Sequence, residues 1–262
     1  MTQITPRPAP APTPYDDAAL YDQIFNDLDM DLSFYRRLAR ETHGPILEIG
    51  CGTGRVMLPC LKDGAALDGL DLSAPMLEAL ERKARALGLT ARVHAGDMRE
   101  FALPRRYALI LIPFNAFLHN LDTEDQLRTL RCCREHLDSG GRLVMHVSFF
   151  SSAIVGETSA EPALELETRD PASGHLLQHF DHRTMDPVRQ LQHSRNEIRE
   201  LDAAGRVVST RYTETDMRWI YPPELELLLR VAGYARWQIH GDFDLKPLAS
   251  ENDQMIVFAW KD

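Results

Sequence analysis

Three glycines at alternate positions follow a short apolar run and precede a helical pattern. Residues 46–55 read ILEIGCGTGR and contain Gly50, Gly52 and Gly54. The apolar run predicts a buried strand, and glycine lets the backbone approach a ligand where a Cβ would clash. A strand, a glycine loop and a helix in this order are typical of nucleotide-binding parallel sheets. The segment therefore predicts an α/β fold with a ligand at the carboxyl end of this strand.

The alternation of strand and helix continues along the chain. Strands are predicted at ALDGLDL, ARVHAGD, YALILIPF and RLVMHV, with helical patterns between them. After Phe149 this alternation ends. Residues 151–174 are predicted to be a long connection, and residues 175–219 to be strands with a turn at Asp202–Gly205. We expect a Rossmann-like three-layer sandwich with a mostly parallel seven-stranded sheet, plus an antiparallel β insertion after the fifth strand.

The glycine spacing separates two kinds of ligand. A dinucleotide site uses G-x-G-x-x-G, in which the third glycine lets the helix pack closely on the strand. Here Gly54 comes one position early, and Arg55 stands where that pattern needs a small residue. The loop therefore favours another nucleoside ligand over a nicotinamide dinucleotide.

Four motifs follow one another at the ends of successive predicted strands. The first is the acidic-x-Gly-x-Gly-x-Gly pattern that begins at Glu48, and the next are GLDLS with Asp71 and GDMREF with Asp97. The fourth is IPFNAFLHN, which contains His119. In this order they resemble the motifs of class I S-adenosylmethionine-dependent methyltransferases of the small-molecule type. The resemblance covers residues 15–150 closely, including the lead-in YDDAALYDQIF, and the rest in outline. It implies S-adenosyl-L-methionine as cofactor and S-adenosyl-L-homocysteine as product.

The resemblance also implies a set of cofactor-binding residues. Asp71 is expected to accept hydrogen bonds from the ribose, and Asp97 to accept from the adenine amino group while Met98 packs on the ring. Glu48 is expected to act through the loop or the cofactor's ammonium group. The other expected contacts are Tyr21, Gly50, Cys51, Gly52, Gly54, Leu72, Met76, Pro113 and Phe114.

His119 is the candidate catalytic residue, because a neutral imidazole can take a proton at neutral pH. The alternative is a loop histidine that only hydrogen-bonds backbone. Tyr15, Phe149, Trp219 and Tyr221 are candidate acceptor-binding residues, with plain core packing as their alternative.

The segment GHLLQHFDH suggests a zinc site, but strand periodicity turns His182 away from His175 and His179. We therefore expect no metal.

These motifs predict three regions. Residues 1–14 are expected to be a disordered proline-rich tail, and residues 15–262 to form the methyltransferase domain. Within that domain, residues 151–219 are expected to be a substrate-side insertion or lid.

The function predicted from the sequence is methyl transfer to a small-molecule acceptor, with N-methylation in natural-product or specialised metabolism favoured. O- or C-methylation is an alternative, as is a non-catalytic S-adenosylmethionine-binding module. A formal charge of −10 disfavours nucleic acid, and no apolar run approaches membrane-spanning length. We expect a cytoplasmic protein; the sequence leaves its oligomeric state open, with a homodimer as one alternative.

Overall fold

The computed structural model describes residues 11–25, 27–148, 150–151, 155, 162–170 and 172–262. The helices are α1 (Ala18–Phe25), α2 (Leu32–Glu41), α3 (Met57–Lys62), α4 (Ala74–Ala86), α5 (Thr123–His136) and α6 (Pro222–Ala232). The strands are β1 (Ile46–Ile49), β2 (Leu67–Asp71), β3 (Arg92–Ala95), β4 (Tyr107–Ile112), β5 (Leu137–Val147), β6 (Ala163–Arg169), β7 (Leu176–Asp186), β8 (Leu191–Leu201), β9 (Val207–Arg218), β10 (Arg236–His240) and β11 (Met255–Trp260). A 3₁₀ turn spans Ala116–His119.

The main sheet has seven strands in the order β10-β11-β5-β4-β1-β2-β3. β11 pairs antiparallel with both of its neighbours, while the pairs among β5, β4, β1, β2 and β3 are parallel. β1 lies between β2 and β4, so the strand order reverses there and a crevice opens at the carboxyl ends of these strands. The glycine loop leaves β1 at this crevice, as the sequence predicts.

Apolar residues alternate between the two faces of the sheet, because successive strand side chains point in opposite directions. Ile110 and Ile112 of β4 belong to one buried cluster, and Leu109 and Leu111 belong to the other. The first cluster takes in residues of α5 and α6, and the second takes in residues of α2, α3 and α4. The predicted three-layer sandwich is confirmed.

The predicted antiparallel insertion is also confirmed, as a separate four-stranded sheet in the order β6-β7-β8-β9. A turn joins β8 to β9 at Asp202–Gly205, where the Gly205 N–H donates to the Asp202 carbonyl oxygen. β6 was not expected, because residues 151–174 read as a connection: its Leu–Glu alternation is short and lies between Pro162 and Pro171. Residues 152–154 and 156–161 of that connection lie outside the described residues.

The N-terminal segment joins the two sheets. Leu20 and Ile24 of α1 pack with Ile198 of the second sheet, while Ala18 packs with Met76 of α4. Before α1, the Pro12 carbonyl oxygen accepts a hydrogen bond from the Glu214 N–H at 2.9 Å. Residues 1–10 of the predicted tail lie outside the described residues.

Candidate active site

A cavity of about 960 Å³ lies between the carboxyl ends of the main-sheet strands and the second sheet. Its walls come from the N-terminal segment, the glycine loop, the segments after β2, β3 and β4, and strands β6 to β9. A volume near the upper end of the range for small-molecule sites can hold a nucleoside ligand together with a second small molecule.

The glycine loop takes a conformation that glycine favours at all three alternate positions. Gly50, Gly52 and Gly54 have φ values of +70°, +52° and +91°. A Cβ on Gly50 would lie 2.7 Å from the Cβ of Ala116, whereas a Cβ on Gly52 would meet nothing within 4 Å. Gly52 therefore presents bare backbone to the cavity. Gly54 is not on the cavity wall; it fits against Leu58 and Leu80 beneath the loop.

Asp71, at the end of β2, is held by two backbone donors. The Gly52 N–H donates to Oδ2 at 2.8 Å, and the Ser73 N–H donates to Oδ1 at 2.8 Å. Burial raises the pKa of Asp71, while these backbone hydrogen bonds oppose the shift. The carboxylate therefore joins the glycine loop to the start of α4, and it lines the cavity.

Glu48 lines the cavity with its side chain 2% exposed. Its Oε2 atom is buried and makes no hydrogen bond. Burial raises the pKa of Glu48 to about 8, and the nearby Arg55 guanidinium only partly offsets this effect. An unpaired buried carboxyl is costly unless a ligand donates to it or neutralises it, so Glu48 fits a cationic ligand group.

Asp97 and Met98 follow β3 and both line the cavity. Arg99 donates to both carboxylate oxygens of Asp97, with Nε at 2.9 Å from Oδ1 and Nη2 at 2.5 Å from Oδ2. These hydrogen bonds hold the pKa of Asp97 below its usual range. Arg99 also donates to Asp125 at 2.5 Å. The Asp97 side chain is therefore fixed at the cavity edge by a partner that the sequence motif did not indicate.

The remaining predicted cofactor contacts also lie on the cavity wall. They are Tyr21, Cys51, Leu72, Met76, Pro113 and Phe114. Burial raises the pKa of Tyr21 to about 12, so its hydroxyl stays protonated at neutral pH.

Tyr15 and His119 form a hydrogen-bonded pair at the cavity. His119 Nδ1 lies 3.3 Å from the backbone carbonyl oxygen of Asp216, which can only accept, so Nδ1 carries the ring proton. Nε2 then keeps its lone pair and accepts from the Tyr15 hydroxyl at 2.8 Å. Burial lowers the pKa of His119, so the ring is neutral at neutral pH. His119 therefore lies on the cavity wall with Tyr15 as its direct partner, and its catalytic role stays a prediction.

A strained turn after β4 brings His119 to this place. Phe114 and Asn115 have φ values of +48° and +63°, in the left-handed region that non-glycine residues rarely adopt. Asn115 is held by Ser148, whose backbone N–H donates to Asn115 Oδ1 at 2.6 Å. The turn folds the 3₁₀ segment back over the crevice, with Ala116 against Gly50.

Two carboxylates of the N-terminal segment form hydrogen bonds with the glycine loop, and the sequence did not predict either contact. Asp31 accepts from Arg55 at 2.5 Å and 2.7 Å, and both side chains are more than nine-tenths buried. Asp22 accepts from Thr53 at 2.5 Å and from Lys83 at 3.0 Å. Arg55, which marked the departure from the dinucleotide pattern, therefore anchors the segment that closes the cavity. Nothing in the sequence distinguishes Asp22 or Asp31 from the other aspartates of this segment.

The second sheet contributes a mostly polar wall. The cavity residues of β7, β8 and β9 alternate along each strand and share one face of the sheet: His179, Asp181, Arg183, Gln192, Ser194, Asn196, Thr215 and Met217. Period-2 alternation in the sequence could have indicated this face, but the strands carry polar residues on both sides.

Trp219 and Tyr221, two of the candidate acceptor-binding residues, do not line the cavity. Trp219 is 1% exposed and packs edge-on against Phe150 at 5.6 Å, while Tyr221 is 37% exposed at the start of α6. Both follow the end of β9, where the chain has already left the cavity face. Phe149 lies outside the described residues.

Among the described residues, no group of three His, Cys, Asp or Glu side chains could hold a metal ion. His179 bonds to Asn196 at 2.8 Å, and His182 lies 3.6 Å from Glu197. In the same described part of the chain, no helix combines the length and the apolarity needed to cross a membrane.

Comparison with known proteins adds a family assignment for the central part of the chain. Residues 46–141 match the methyltransferase domain family. The cypemycin N-terminal methyltransferase of a Streptomyces species is 21% identical over 254 residues, covering 94% of this chain and 97% of that protein.

Two solved structures share the fold over most of the chain. The CcbJ methyltransferase of Streptomyces caelestis has a TM-score of 0.75 at 24% identity, covering 94% of this chain and 97% of that one. The S-adenosylmethionine-bound amino pentose methyltransferase CalS10 of Micromonospora echinaspora has a TM-score of 0.68 at 19% identity, covering 88% and 89%.

The glycine loop, the acidic residues Glu48 of β1 and Asp71 at the end of β2, and the domain match all indicate the same cofactor. Residues 46–141 are a methyltransferase domain, and the chain is an S-adenosylmethionine-dependent methyltransferase with the class I fold.

Proposed function

We propose that this methyltransferase N-methylates a small-molecule amine in the specialised metabolism of the cytoplasm. The observation that carries the proposal is the oriented pair of Tyr15 and His119 on the cavity wall. The names of two relatives support it, since one protein methylates an N-terminus and another an amino pentose. The four free, buried cysteines suit a reducing compartment.

The chemistry needs a proton acceptor at one defined place. S-adenosylmethionine supplies a methyl group already activated by its sulfonium. An amine attacks only through a free lone pair, so a protonated amine must first lose a proton, and the methylated product can also lose one. Because the Tyr15 hydroxyl donates to His119 Nε2, its own oxygen lone pairs can accept the amine N–H. As the hydroxyl accepts a proton from the amine, it passes its own proton to His119 Nε2, which becomes an imidazolium, while the Asp216 carbonyl holds the ring in the required tautomer.

We further propose the cofactor roles that the sequence resemblance implies. Asp71 accepts from the ribose hydroxyls, and its position is supported by two backbone donors that leave its remaining lone pairs for a ligand. Glu48 accepts from the methionine ammonium, which its unpaired buried oxygen supports. Asp97 accepts from the adenine amino group while it keeps its hydrogen bonds to Arg99.

In this proposal residues 15–262 are one methyltransferase domain, and residues 151–219 are its acceptor-side insertion. The insertion supplies the polar wall and the Asp216 carbonyl but little of the glycine-loop side of the cavity. A variant in which a short Gly-Ser linker replaces residues 175–216 should still fold, as circular dichroism can verify. It should bind S-adenosylmethionine as the wild type does but catalyse no turnover. Loss of both together would place the insertion in the core of the domain.

The test of N-methylation is incubation of the purified protein with labelled S-adenosylmethionine and a panel of paired primary amines and alcohols of equal size. Mass spectrometry should find methylated amines, formed with release of S-adenosylhomocysteine. His119→Ala should lose this activity, and His43→Ala, at an exposed histidine, should keep it. Methylation of the alcohols alone would overturn the proposal in favour of O-methylation.

A further inference from the structure

Two buried oxygen atoms on the second sheet point to a ligand group beyond the methylated nitrogen. Asp181 Oδ1 and Gln192 Oε1 make no hydrogen bond, although the two residues are only 6% and 3% exposed. Both residues line the cavity. Buried acceptors without a partner cost free energy, so they indicate a donor that arrives with a ligand.

A hydrogen-bond chain fixes the orientation of these two acceptors. Gln192 Nε2 donates to Ser194 Oγ at 2.6 Å, and Ser194 Oγ donates to Asp181 Oδ2 at 3.2 Å. Arg183 also donates to Asp181 Oδ2, at 2.7 Å. The Gln192 side-chain nitrogen donates to Ser194, and this hydrogen bond orients the amide so that the Gln192 side-chain oxygen is the atom without a partner. This hydrogen-bond chain therefore leaves Asp181 Oδ1 and Gln192 Oε1 as free acceptors, to which a hydroxyl or an ammonium group of a ligand can donate.

The strand register places these acceptors beside the strand that orients His119. Gln192 pairs with Met217, and Ser194 pairs with Thr215. Thr215 and Met217 both line the cavity, and the carbonyl of Asp216 between them holds His119. Thr215 Oγ1 is a further buried hydroxyl without a hydrogen-bond partner. One small molecule can therefore reach the Tyr15–His119 pair and these acceptors together.

We infer that Asp181 and Gln192 form a second recognition site, which binds a hydroxyl or ammonium group of the acceptor remote from the methylated nitrogen. The inference rests on the proposed N-methylation and makes the acceptor class narrower: an amine that carries at least one more hydrogen-bond donor. These residues select the acceptor, whereas Tyr15 and His119 act on its reacting nitrogen.

The test compares cyclohexylamine with aminocyclohexanols that carry the hydroxyl at position 2, 3 or 4. For the wild type, at least one amino alcohol should have a kcat/KM about tenfold or more above that of cyclohexylamine, the value of one good hydrogen bond to a buried acceptor. Gln192→Met keeps the length of the side chain and removes the carbonyl. This variant and Asp181→Asn should reduce the preference mainly by raising KM for the amino alcohol, with cyclohexylamine little changed. Thr184→Val, on the outward face of β7, should keep the preference.

Calorimetric titration of the S-adenosylhomocysteine complex with the same amines separates this inference from the proposed function. Tighter binding of an amino alcohol that Gln192→Met removes, without methylation of any amine, would support the second recognition site and overturn N-methylation. Methylation of all amines with equal kcat/KM in every variant would overturn the second recognition site and leave N-methylation standing. No binding of any amino alcohol to the complex would also overturn the inference.

Discussion

The Tyr15 hydroxyl donates to His119 Nε2 at 2.8 Å, which joins a residue before the first helix to one after the fourth strand. Both residues line the cavity, and in this arrangement the Tyr15 hydroxyl occupies the Nε2 lone pair, so a proton from the acceptor reaches His119 through that hydroxyl. Catalysis should therefore depend on the pair and not on the histidine alone.

Substitution of either member of the pair should lower the rate with little change in cofactor affinity. His119→Ala should reduce kcat/KM by about 10²- to 10⁴-fold, the usual contribution of a general base. Because burial lowers the pKa of His119, the wild-type rate should rise with pH through a pKa below 6.5 and then level off, before any rise due to the amine itself.

The rise of the rate with pH through the pKa of His119 should be absent in both His119→Ala and Tyr15→Phe. Tyr212→Phe, at a tyrosine that is 45% exposed, should retain it. Full activity of Tyr15→Phe with an unchanged pH profile would show that His119 acts without the phenol. A fully active His119→Ala would leave proximity to the sulfonium methyl as the main source of catalysis.

Because of Glu48, the free energy of unfolding of the ligand-free protein should decrease as the pH rises. The unfolded carboxyl titrates near its ordinary value, whereas burial raises the folded pKa to about 8. Between these values the folded protein binds one proton more than the unfolded chain, so the free energy of unfolding decreases as pH rises, by about 1.4 kcal/mol per unit. Glu48→Gln should remove this slope in urea titrations from pH 5 to 8.

The same Glu48→Gln variant should bind S-adenosylmethionine more weakly, because the ammonium group loses its counter-charge. Calorimetric titration at pH 8 measures this loss. Parallel stability slopes in wild type and variant would show that Glu48 ionises normally in the folded protein.

Asp71→Ala should weaken S-adenosylmethionine binding by about 2 to 3 kcal/mol, since ribose hydroxyls lose a charged acceptor and two loop N–H groups lose theirs. Asp63→Ala, which removes a surface partner of Arg36 and Arg40, is the matched control and should leave the affinity unchanged. Wild-type affinity in Asp71→Ala would refute the assignment of Asp71 to the ribose.

Asp31→Asn should destabilise the protein by about 3 to 5 kcal/mol, because it leaves the buried Arg55 guanidinium without its carboxylate. Asp31→Asn combined with Arg55→Met should recover much of this loss, since no buried charge then lacks a partner. Chemical denaturation of the single and double variants measures both effects. A double variant less stable than the single one would show that Arg55 stabilises the protein through other contacts, such as its packing over the Phe114 ring.

The sequence predicts the main sheet well because its inner strands, such as β1 and β4, are short apolar runs next to clear helical periods. Asp71 and Glu48 are likewise predictable, since a residue at the end of a parallel strand must lie at the same edge of the sheet as the glycine loop. Their positions follow from topology, without knowledge of any side-chain contact.

The second sheet could not be predicted in the same way. β6 does alternate Leu and Glu at residues 164–167, but this alternation is short and lies between Pro162 and Pro171, so the surrounding segment predicts a connection. The inward positions Asp181 and Gln192 are polar, which in a sequence suggests the outer face. Trp219 differs from its predicted place for the opposite reason. A large aromatic residue suggests a contact with the acceptor, but the structure buries Trp219 in the core beyond the end of β9.

The carbonyl of Asp216 sets the tautomer of His119 through main chain alone, so the identity of the side chain at position 216 does not enter. Residues on either side of it, at 215 and 217, can therefore change to suit a different acceptor while the imidazole stays in its working form. Selection for new acceptors and retention of the proton-accepting machinery are separable in this architecture, because one depends on side chains and the other on a backbone oxygen that every amino acid provides.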